Sequence, residues 1–169
     1  WSSDCDGSER YTIRVKDAAG GQIHSDEITG SGGSVVWAAD GKSLFYSVLS
    51  KEHRPYKIMR HDLGSSPEDD VCVYEEHDPS FFVRVSKTSS DRFIIISAGD
   101  HVTTELRVLP ADQVNASPVL IAARQHGHEY YLDDAGDHFL IRSNDTHKNF
   151  RLVEAPHDAP EQVHWKELI

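Results

Sequence analysis

The stretch YTIRVKD, at residues 11–17, decides how the rest of the sequence is interpreted, because it recurs along the chain. A similar stretch, YKIMRHD, follows 45 positions later at residues 56–62. Two further copies, ELRVL at 105–109 and FRLVE at 150–154, follow at offsets of 49 and 45. The first copy alternates apolar and polar side chains, which is the pattern of a half-buried β-strand, and the other three are rich in apolar residues. A repeat at a nearly fixed period predicts an array of similar structural units.

A second strand-like element repeats in step with the first. The stretch DGKSLFY at 40–46 aligns with SSDRFII at 89–95 and with AGDHFLI at 135–141. Each repeat of about 45 residues then holds four strand candidates between clusters of Gly, Asp and Ser. The predicted strands are 34–38, 43–49, 55–62 and 70–76 in one unit, 81–86, 92–98, 104–110 and 118–122 in the next, and 129–133, 138–143, 149–154 and 163–167 in the last, with 11–16 and 22–28 before them.

Four short strands in each repeat are typical of the blades of a β-propeller. The sequence therefore predicts an all-β fold, a partial β-propeller of about three four-stranded blades plus a half blade. The half blade is expected at residues 1–30, and the full blades at 34–76, 81–122 and 129–169. The alternative is a β-sandwich with evenly spaced strands, although a sandwich has no reason to repeat its sequence at a fixed period.

The composition narrows the classes of function. The 169 residues include 17 Lys and Arg against 28 Asp and Glu, which gives a net charge of −11 with His neutral. That balance argues against a nucleic-acid partner, which needs clustered basic side chains.

No apolar run approaches the length of a transmembrane helix, so we expect no membrane partner. Cys5 and Cys72 are too few for a secreted disulfide scaffold, which favours free thiols in a reducing, cytoplasmic location. The opening WSSD resembles neither a signal peptide nor a natural start, so the chain is expected to be part of a longer protein.

No motif in the sequence supports catalysis, and no cofactor or metal site is predicted. The nearest approach to the Gly-x-Ser-x-Gly elbow of α/β-hydrolases is GGSVV at residues 32–36, which lacks the last glycine and leads into a strand, so Ser34 is not expected to be a nucleophile. His126 and His128 are interpreted as residues of an exposed loop between blades, because zinc needs three or four convergent ligands. Two acidic pairs, at 69–70 and 75–76, are interpreted as solvated strand ends.

Aromatic residues come at equivalent positions in the innermost strand of each full unit. They are Trp37, Phe82 and Tyr130, and we expect them to form core between blades rather than a cage around a ligand.

Five stretches, taken in order, resemble the propeller of the prolyl oligopeptidase family, in particular its oligopeptidase B branch. They lie at residues 7–17, 52–64, 73–76, 99–105 and 149–153. The resemblance covers essentially the whole chain. It implies a seven-bladed propeller joined to an α/β-hydrolase domain that acts as a serine peptidase on short peptides and prefers cleavage after Arg or Lys. The propeller of such an enzyme acts as a lid that admits only short, flexible peptides to the catalytic cleft.

Chain direction predicts which loops share a face, because strands within a blade alternate up and down. The loops between the second and third strands, at 50–54, 99–103 and 144–148, lie on the same face as the connections between blades, at 30–33, 77–80 and 124–128. The resemblance implies that this face covers the hydrolase domain. The candidates for polar contacts between the two domains are Arg54, Asp100, His101 and Asp145. The alternative is that these four are ordinary exposed loop residues.

The resemblance also implies which partners the chain has. They are the α/β-hydrolase domain of the full-length protein and, as its substrates, short basic peptides. The chain itself, without that domain, is expected to be inactive. The alternative function is a propeller that serves as a protein-interaction scaffold with no attached enzyme, although the recurrent Trp-Asp pairs of such scaffolds are absent.

Incomplete closure of the ring predicts that the chain either self-associates through its end blades or is only marginally stable. Faces that a complete propeller would cover are expected to expose apolar side chains, and large exposed apolar patches are rare on monomers. The residues expected to contribute are Ile13, Val15, Phe139, Ile141 and Leu152.

Overall fold

The computed structural model describes residues 1–169, and about half of them lie in fourteen β-strands. The strands are β1 Ser2–Ser3, β2 Tyr11–Lys16, β3 Ile23–Trp37, β4 Ser43–Leu49, β5 Pro55–Asp62, β6 Val71–Glu75, β7 Phe82–Lys87, β8 Phe93–Gly99, β9 Thr104–Pro110, β10 Val119–Leu120, β11 Tyr130–Asp134, β12 His138–Ser143, β13 Arg151–Pro156 and β14 Lys166–Glu167. The helical elements are two three-residue 3-10 turns, Pro67–Asp69 and Gln162–His164. Neither turn approaches the length of a helix that could cross a membrane.

The strands form three antiparallel sheets in sequence order, which confirms the predicted all-β class. One sheet has six strands in the order β1 to β6, and the other two have four strands each, β10-β9-β8-β7 and β11 to β14. The predicted strands at 43–49, 55–62, 104–110 and 138–143 coincide with β4, β5, β9 and β12. The chain divides into two compact units, a first unit of residues 1–85 and a second unit of residues 86–169.

The strands predicted at 22–28 and 34–38 are in fact one continuous strand, β3. Its first half pairs with β2, with Ile13 opposite Ile28, and its second half pairs with β4, with Val36 opposite Phe45. The glycine-rich centre makes this possible, because Gly30 and Gly33 have φ of 73° and 83°, a region that side chains with a Cβ rarely adopt. The register shifts there, so the strand bends without leaving the sheet. The first sheet therefore has six strands, and the division expected between 1–30 and 34–76 is not a break in hydrogen bonding.

The first unit has its own apolar core between β2, β3 and β4. Ile13 and Val15 of β2 are buried against Leu44 and Tyr46 of β4. The expectation that Ile13 and Val15 lie on an exposed apolar face is therefore wrong. Strand alternation places polar side chains on the other face, where Arg14 forms an ion pair of 3.1 Å with Glu27.

The second unit has a core in which β8, β9 and the two residues after β10 contribute side chains together with β11 to β13. Phe139 and Ile141 are 0% exposed in this cluster, so they too are not the exposed residues predicted from the sequence, whereas Leu152 is half-buried. Phe139 packs edge-on against Phe93, with the ring centroids 4.7 Å apart. These residues lie on the face of their sheet that meets the preceding sheet of the same unit.

The three aromatic residues at equivalent strand positions have different environments. Tyr130 is fully buried, and its hydroxyl accepts a hydrogen bond from the Leu106 amide at 2.7 Å and donates one to the Ala122 carbonyl at 2.9 Å. Trp37 and Phe82 are 39% and 38% exposed. The core prediction is confirmed for Tyr130 and wrong for Trp37 and Phe82, because equivalent positions in a repeat need not have equivalent neighbours.

The two faces of the last sheet give a test of this packing. Phe139→Ala should lower the free energy of unfolding by about 3–5 kcal/mol, since it removes a fully buried ring and leaves a cavity. Tyr131→Ala, on the neighbouring strand but 49% exposed, should cost less than about 1 kcal/mol. Urea denaturation of both variants measures the difference, and equal losses would contradict the assignment of faces.

Candidate functional site

Ser34, the serine nearest to a hydrolase motif, is held by backbone hydrogen bonds and not by a catalytic base. It lies within β3, and its Oγ donates to the Val85 carbonyl at 2.7 Å and accepts from the Val85 amide at 3.2 Å. A nucleophilic serine needs a histidine within hydrogen-bond reach and a strand-to-helix turn. Ser34 instead links β3 to the start of β7.

The loops of the second unit that were expected to share a face do lie together. The Thr104 amide donates to the His128 carbonyl at 2.9 Å, which joins the loop at 99–103 to the connection at 124–128. Asn144 then donates from its side chain to the Gly127 carbonyl at 3.0 Å. These contacts fix the three loops as one layer at one edge of their sheets.

In the first unit the corresponding edge includes the segment before β2. Arg10 donates from its guanidinium to the Ser50 carbonyl at 3.0 Å, so the loop at 50–54 is tied to residues 7–10. The connection at 30–33 lies beside them, since a Cβ at Gly32 would lie 2.9 Å from the Ser47 hydroxyl. The approach is too close for any residue other than glycine without movement of Ser47 or Leu49.

The four candidate contact residues differ in their exposure and in how far their side chains already contact other groups of the chain. The Arg54 guanidinium lies 3.9 Å from the centre of the Phe82 ring, and its buried Nε has no hydrogen-bond partner. Asp100 is exposed, and hydrogen bonds from the Val102 and Thr103 amides lower the pKa of its carboxyl. His101, next to it, is exposed. Arg54 can therefore present a charged group at the loops of the first unit, and Asp100 and His101 can present hydrogen-bonding groups at the loops of the second unit.

Asp145, the fourth candidate, is already engaged within its own unit. Both of its carboxylate oxygens accept from Arg151, at 2.8 and 2.7 Å, and Gln162 donates a further hydrogen bond at 3.2 Å. The Arg151 contact lowers the pKa of Asp145 to about 2. Such a bidentate pair fixes the loop at 144–148 and leaves the carboxylate little capacity for a second partner.

His128, expected in an exposed loop, is buried. Its side chain stacks on Tyr130 with ring centroids 4.9 Å apart, and Nε2 lies 2.8 Å from the Ser143 hydroxyl. Burial lowers the pKa of His128, although the charge of Asp145 partly opposes this. The neighbouring His126 is exposed as predicted. The His-Gly-His stretch therefore divides into one core residue and one surface residue, and no group of three or more His, Cys, Asp or Glu side chains is arranged to hold a metal ion.

The sequence interpretation missed a buried network around His61 in the first unit. The His61 ring is fully buried, and its two nitrogens lie 2.7 Å from Asp70 and 2.9 Å from Asp26. Asp26 also accepts from the Gly64 amide, and Asp70 accepts from the Tyr46 hydroxyl at 2.7 Å. Asp70 had been interpreted as a solvated strand end, which is wrong, because its side chain is 0% exposed.

The network is a charged cluster that joins three strands. Burial by itself would lower the pKa of His61, but hydrogen bonds to Asp26 and Asp70 outweigh it and raise the pKa. Burial would likewise raise the pKa of Asp26, yet the hydrogen bonds from His61 and Gly64 lower it. An imidazolium with a carboxylate on each nitrogen is therefore the favoured state. Because His61 has no exposed surface, the cluster stabilises the fold and is not a catalytic dyad.

A family model for the N-terminal β-propeller domain of prolyl oligopeptidase matches residues 1–169, the whole chain. The chain belongs to this propeller family. Curated relatives support the assignment. The propeller is 35% identical over 176 residues to dipeptidyl aminopeptidase BI of Pseudoxanthomonas mexicana, with 100% of this chain and 24% of the relative covered. It is 33% identical to protease 2 of Moraxella lacunata, with 89% of this chain and 22% of the relative covered.

Solved structures agree with this propeller fold. Oligopeptidase B from Leishmania major superimposes with a TM-score of 0.89 at 31% identity, covering 98% of this chain and 24% of that one. Oligopeptidase B from Trypanosoma brucei superimposes with a TM-score of 0.77 at 23% identity, which supports the fold alone. The partial propeller is therefore confirmed over the alternative of a β-sandwich. The propeller chain spans about a quarter of the length of these proteins.

The His61 cluster predicts a pH-dependent contribution to the stability of the propeller. A raised pKa in the folded state contributes stability below the ordinary His value of 6.5 and loses it as pH rises through the folded pKa. The lowered pKa of Asp26 contributes above its ordinary value of 3.8 and is lost as pH falls. His61→Gln should therefore cost most, about 3 kcal/mol or more, between these two values, and less at alkaline pH.

Urea denaturation from pH 4 to 9 of the wild type and of His61→Gln measures this difference. Taking the difference between the two proteins removes the effect of His128, whose lowered pKa acts in the opposite direction. His77→Gln, at an exposed histidine of the same unit, is the matched control and should show no such window. A cost for His61→Gln that does not vary with pH would contradict the imidazolium.

Proposed function

We propose that this chain is the non-catalytic, substrate-gating propeller portion of a serine oligopeptidase that cleaves short peptides after Arg or Lys. The observation that supports it most is the family match over residues 1–169. Full-length relatives of about four times the length, among them a protease and a dipeptidyl aminopeptidase, leave room for a separate catalytic domain. The partner of the chain is then the α/β-hydrolase domain of the same protein.

The side chains of the loop face support a gating role. The loops at 99–103, 124–128 and 144–148 are cross-linked by hydrogen bonds, and Asp100 fixes its own loop by accepting from the Val102 amide at 2.9 Å. A rigid rim excludes a folded or long chain by steric blockage, whereas a short flexible peptide can pass. Arg54, Asp100 and His101 are the groups we propose to contact the hydrolase domain, with Asp145 acting by holding its loop in place.

The charge of the chain supports the proposed preference for basic peptides. A net charge of −11 produces a negative potential that raises the local concentration of cationic substrates. The effect is on capture and not on the choice of the scissile bond, which belongs to the hydrolase domain. The similarity to a dipeptidyl aminopeptidase makes release of dipeptides from free N-termini the main competing activity. A scaffold with no attached enzyme is disfavoured, since the two curated relatives compared above are named as peptidases.

We also propose self-association through the last sheet, although through other residues than the sequence predicts. Of the residues expected there, Ile13, Val15, Phe139 and Ile141 are buried within the chain. The outward face of the last sheet instead carries Tyr131 and Arg142, whose guanidinium lies 4.6 Å from the centre of that ring. Any association through this face would therefore use aromatic and cationic groups more than aliphatic ones.

Arg54→Ala in the full-length peptidase should relax the length limit on substrates. The substitution removes a proposed contact between the propeller and the hydrolase domain, so the arrangement that restricts access to the catalytic cleft is less favoured. The ratio of kcat/KM for a thirty-residue peptide to kcat/KM for a tetrapeptide with the same Arg site should therefore rise by about tenfold. The isolated 169-residue chain should hydrolyse neither peptide. Steady-state kinetics on both peptides, with a dipeptide-releasing substrate in parallel, measure the ratio.

Arg142→Ala is the matched control for Arg54→Ala. Both guanidinium groups lie over aromatic rings, but Arg142 is the fifth of the six residues of β12 and does not belong to one of the loops. The control should leave the ratio unchanged. Equal ratios in all three proteins would contradict gating through Arg54, and preferential release of dipeptides would contradict cleavage after Arg or Lys.

A further inference from the structure

A cleft of about 320 Å³ opens at the loop edge of the first unit. Two loop residues, Glu9 and His53, line it together with residues of five strands. The strand residues are Tyr11, Gly32, Leu49, Pro55, Phe82 and Arg84. Its size is at the small end of the range for small-molecule sites, enough for a ligand of two or three amino-acid residues.

The two loop residues that line the cleft, Glu9 and His53, have unusual backbone conformations. Glu9 and His53 have φ of 59° and 60°, in the left-handed region that few residues other than glycine adopt. Asp4 stabilises the first of these loops, because its carboxylate accepts from the Glu9 amide at 2.8 Å and from the Gly7 amide at 2.9 Å. Arg10 then joins this loop to Ser50. The cleft is therefore preformed, and strain of this kind concentrates at binding sites.

The hydrogen bonds to Asp4 also keep it charged. The hydrogen bond from the Glu9 amide, together with other backbone donors, lowers the pKa of Asp4 to about 2. A charged Asp4 carboxylate is the acceptor that the Gly7 and Glu9 amides need in this loop.

The cleft presents unpaired charges of both signs beside an apolar surface. Arg84 is exposed on β7 and forms no ion pair with any of the 28 acidic side chains of the chain. Glu9 is exposed and also forms no ion pair, so the two do not neutralise each other. Tyr11, Leu49 and Phe82 supply apolar surface in the same cleft. A zwitterion with a hydrophobic side chain complements this arrangement in charge and in polarity.

We propose that this cleft binds a short peptide with free termini, a di- or tripeptide of the product class of an oligopeptidase. The α-carboxylate pairs with Arg84, the α-ammonium pairs with Glu9, and an apolar side chain packs against Phe82. Arg54 supports the site from outside, since it covers one face of the Phe82 ring at 3.9 Å. The inference deepens the proposed function, because short peptides are the substrates and products proposed for the full-length protein. It needs no catalytic domain, so it can be tested on this chain alone.

The test uses three probes: the dipeptide Gly-Phe, its C-terminal amide and its N-acetyl form. Isothermal titration of the 169-residue chain should show saturable binding of Gly-Phe, about tenfold weaker binding of the amide, and a similar loss for the N-acetyl form. Arg84→Gln should weaken binding of Gly-Phe about tenfold and remove the difference between acid and amide. Glu9→Gln should remove the difference between the free and the acetylated N-terminus.

Arg142→Gln, which alters an exposed arginine above an aromatic ring outside the cleft, should bind all three probes as the wild type does. Arg84 and Glu9 are exposed, so their variants should fold, and thermal melting confirms it; Phe82→Ala tests the apolar contact independently. Absence of saturable binding, or equal binding by the wild type and Arg84→Gln, would overturn the proposal. Hydrolysis by the full-length protein is measured separately, so failure of the cleft and failure of the proposed function give different results.

Discussion

The first unit depends on the pairing of β3 with strands on both of its sides. Residues Ile23–Trp37 satisfy their backbone hydrogen bonds first with β2 and then with β4, so one strand serves two neighbouring groups of strands. Glycines at 30 and 33 allow the bend that this double pairing needs. The bend also places the connection at 30–33 at the same edge as the loop at 50–54, because β4 must return antiparallel to β3. The backbone pairing of β3 and β4 therefore brings these two loops together, whatever side chains they carry.

Buried polar side chains hold strands and loops together at places where sheet pairing alone does not determine their positions. His61 joins β3 to β5 and to the residue before β6 through two carboxylates, and these hydrogen bonds favour the charged form of its ring by raising its pKa. Tyr130 has the corresponding role in the second unit with neutral hydrogen bonds to Leu106 and Ala122. Both arrangements are costly to break, since each would leave buried polar atoms without partners. They differ in pH dependence, because only the first requires an imidazolium.

The loops of the two units differ in how far their polar side chains are already engaged with other groups of the chain. Asp145 and Arg151 satisfy each other and hold their loop. Arg54, Glu9 and Arg84 leave charge at the edge of the first unit without an acidic or basic partner in the chain. A surface of this kind can contact another domain or a small zwitterion while its own backbone stays in place. Rigidity of a loop in the second unit and unpaired charge in the cleft of the first unit are therefore separate properties.

The sequence by itself determined the class of fold, most strands and the proximity of neighbouring loops within each unit, because period and alternation are local properties of the chain. Strands β4, β5, β9 and β12 were predicted to the residue since each is bounded by turn-forming residues. Only the tertiary structure decided the environment of individual side chains. Asp70 and His128 look like surface residues in the sequence but are buried, and Phe82 looks like core but is partly exposed. Burial depends on which residue from a distant strand lies opposite, and the same alternation is compatible with either face being covered. The cleft between residues 9 and 84 was unpredictable for the same reason, since the approach of its walls is set by the register of strands far apart in the chain.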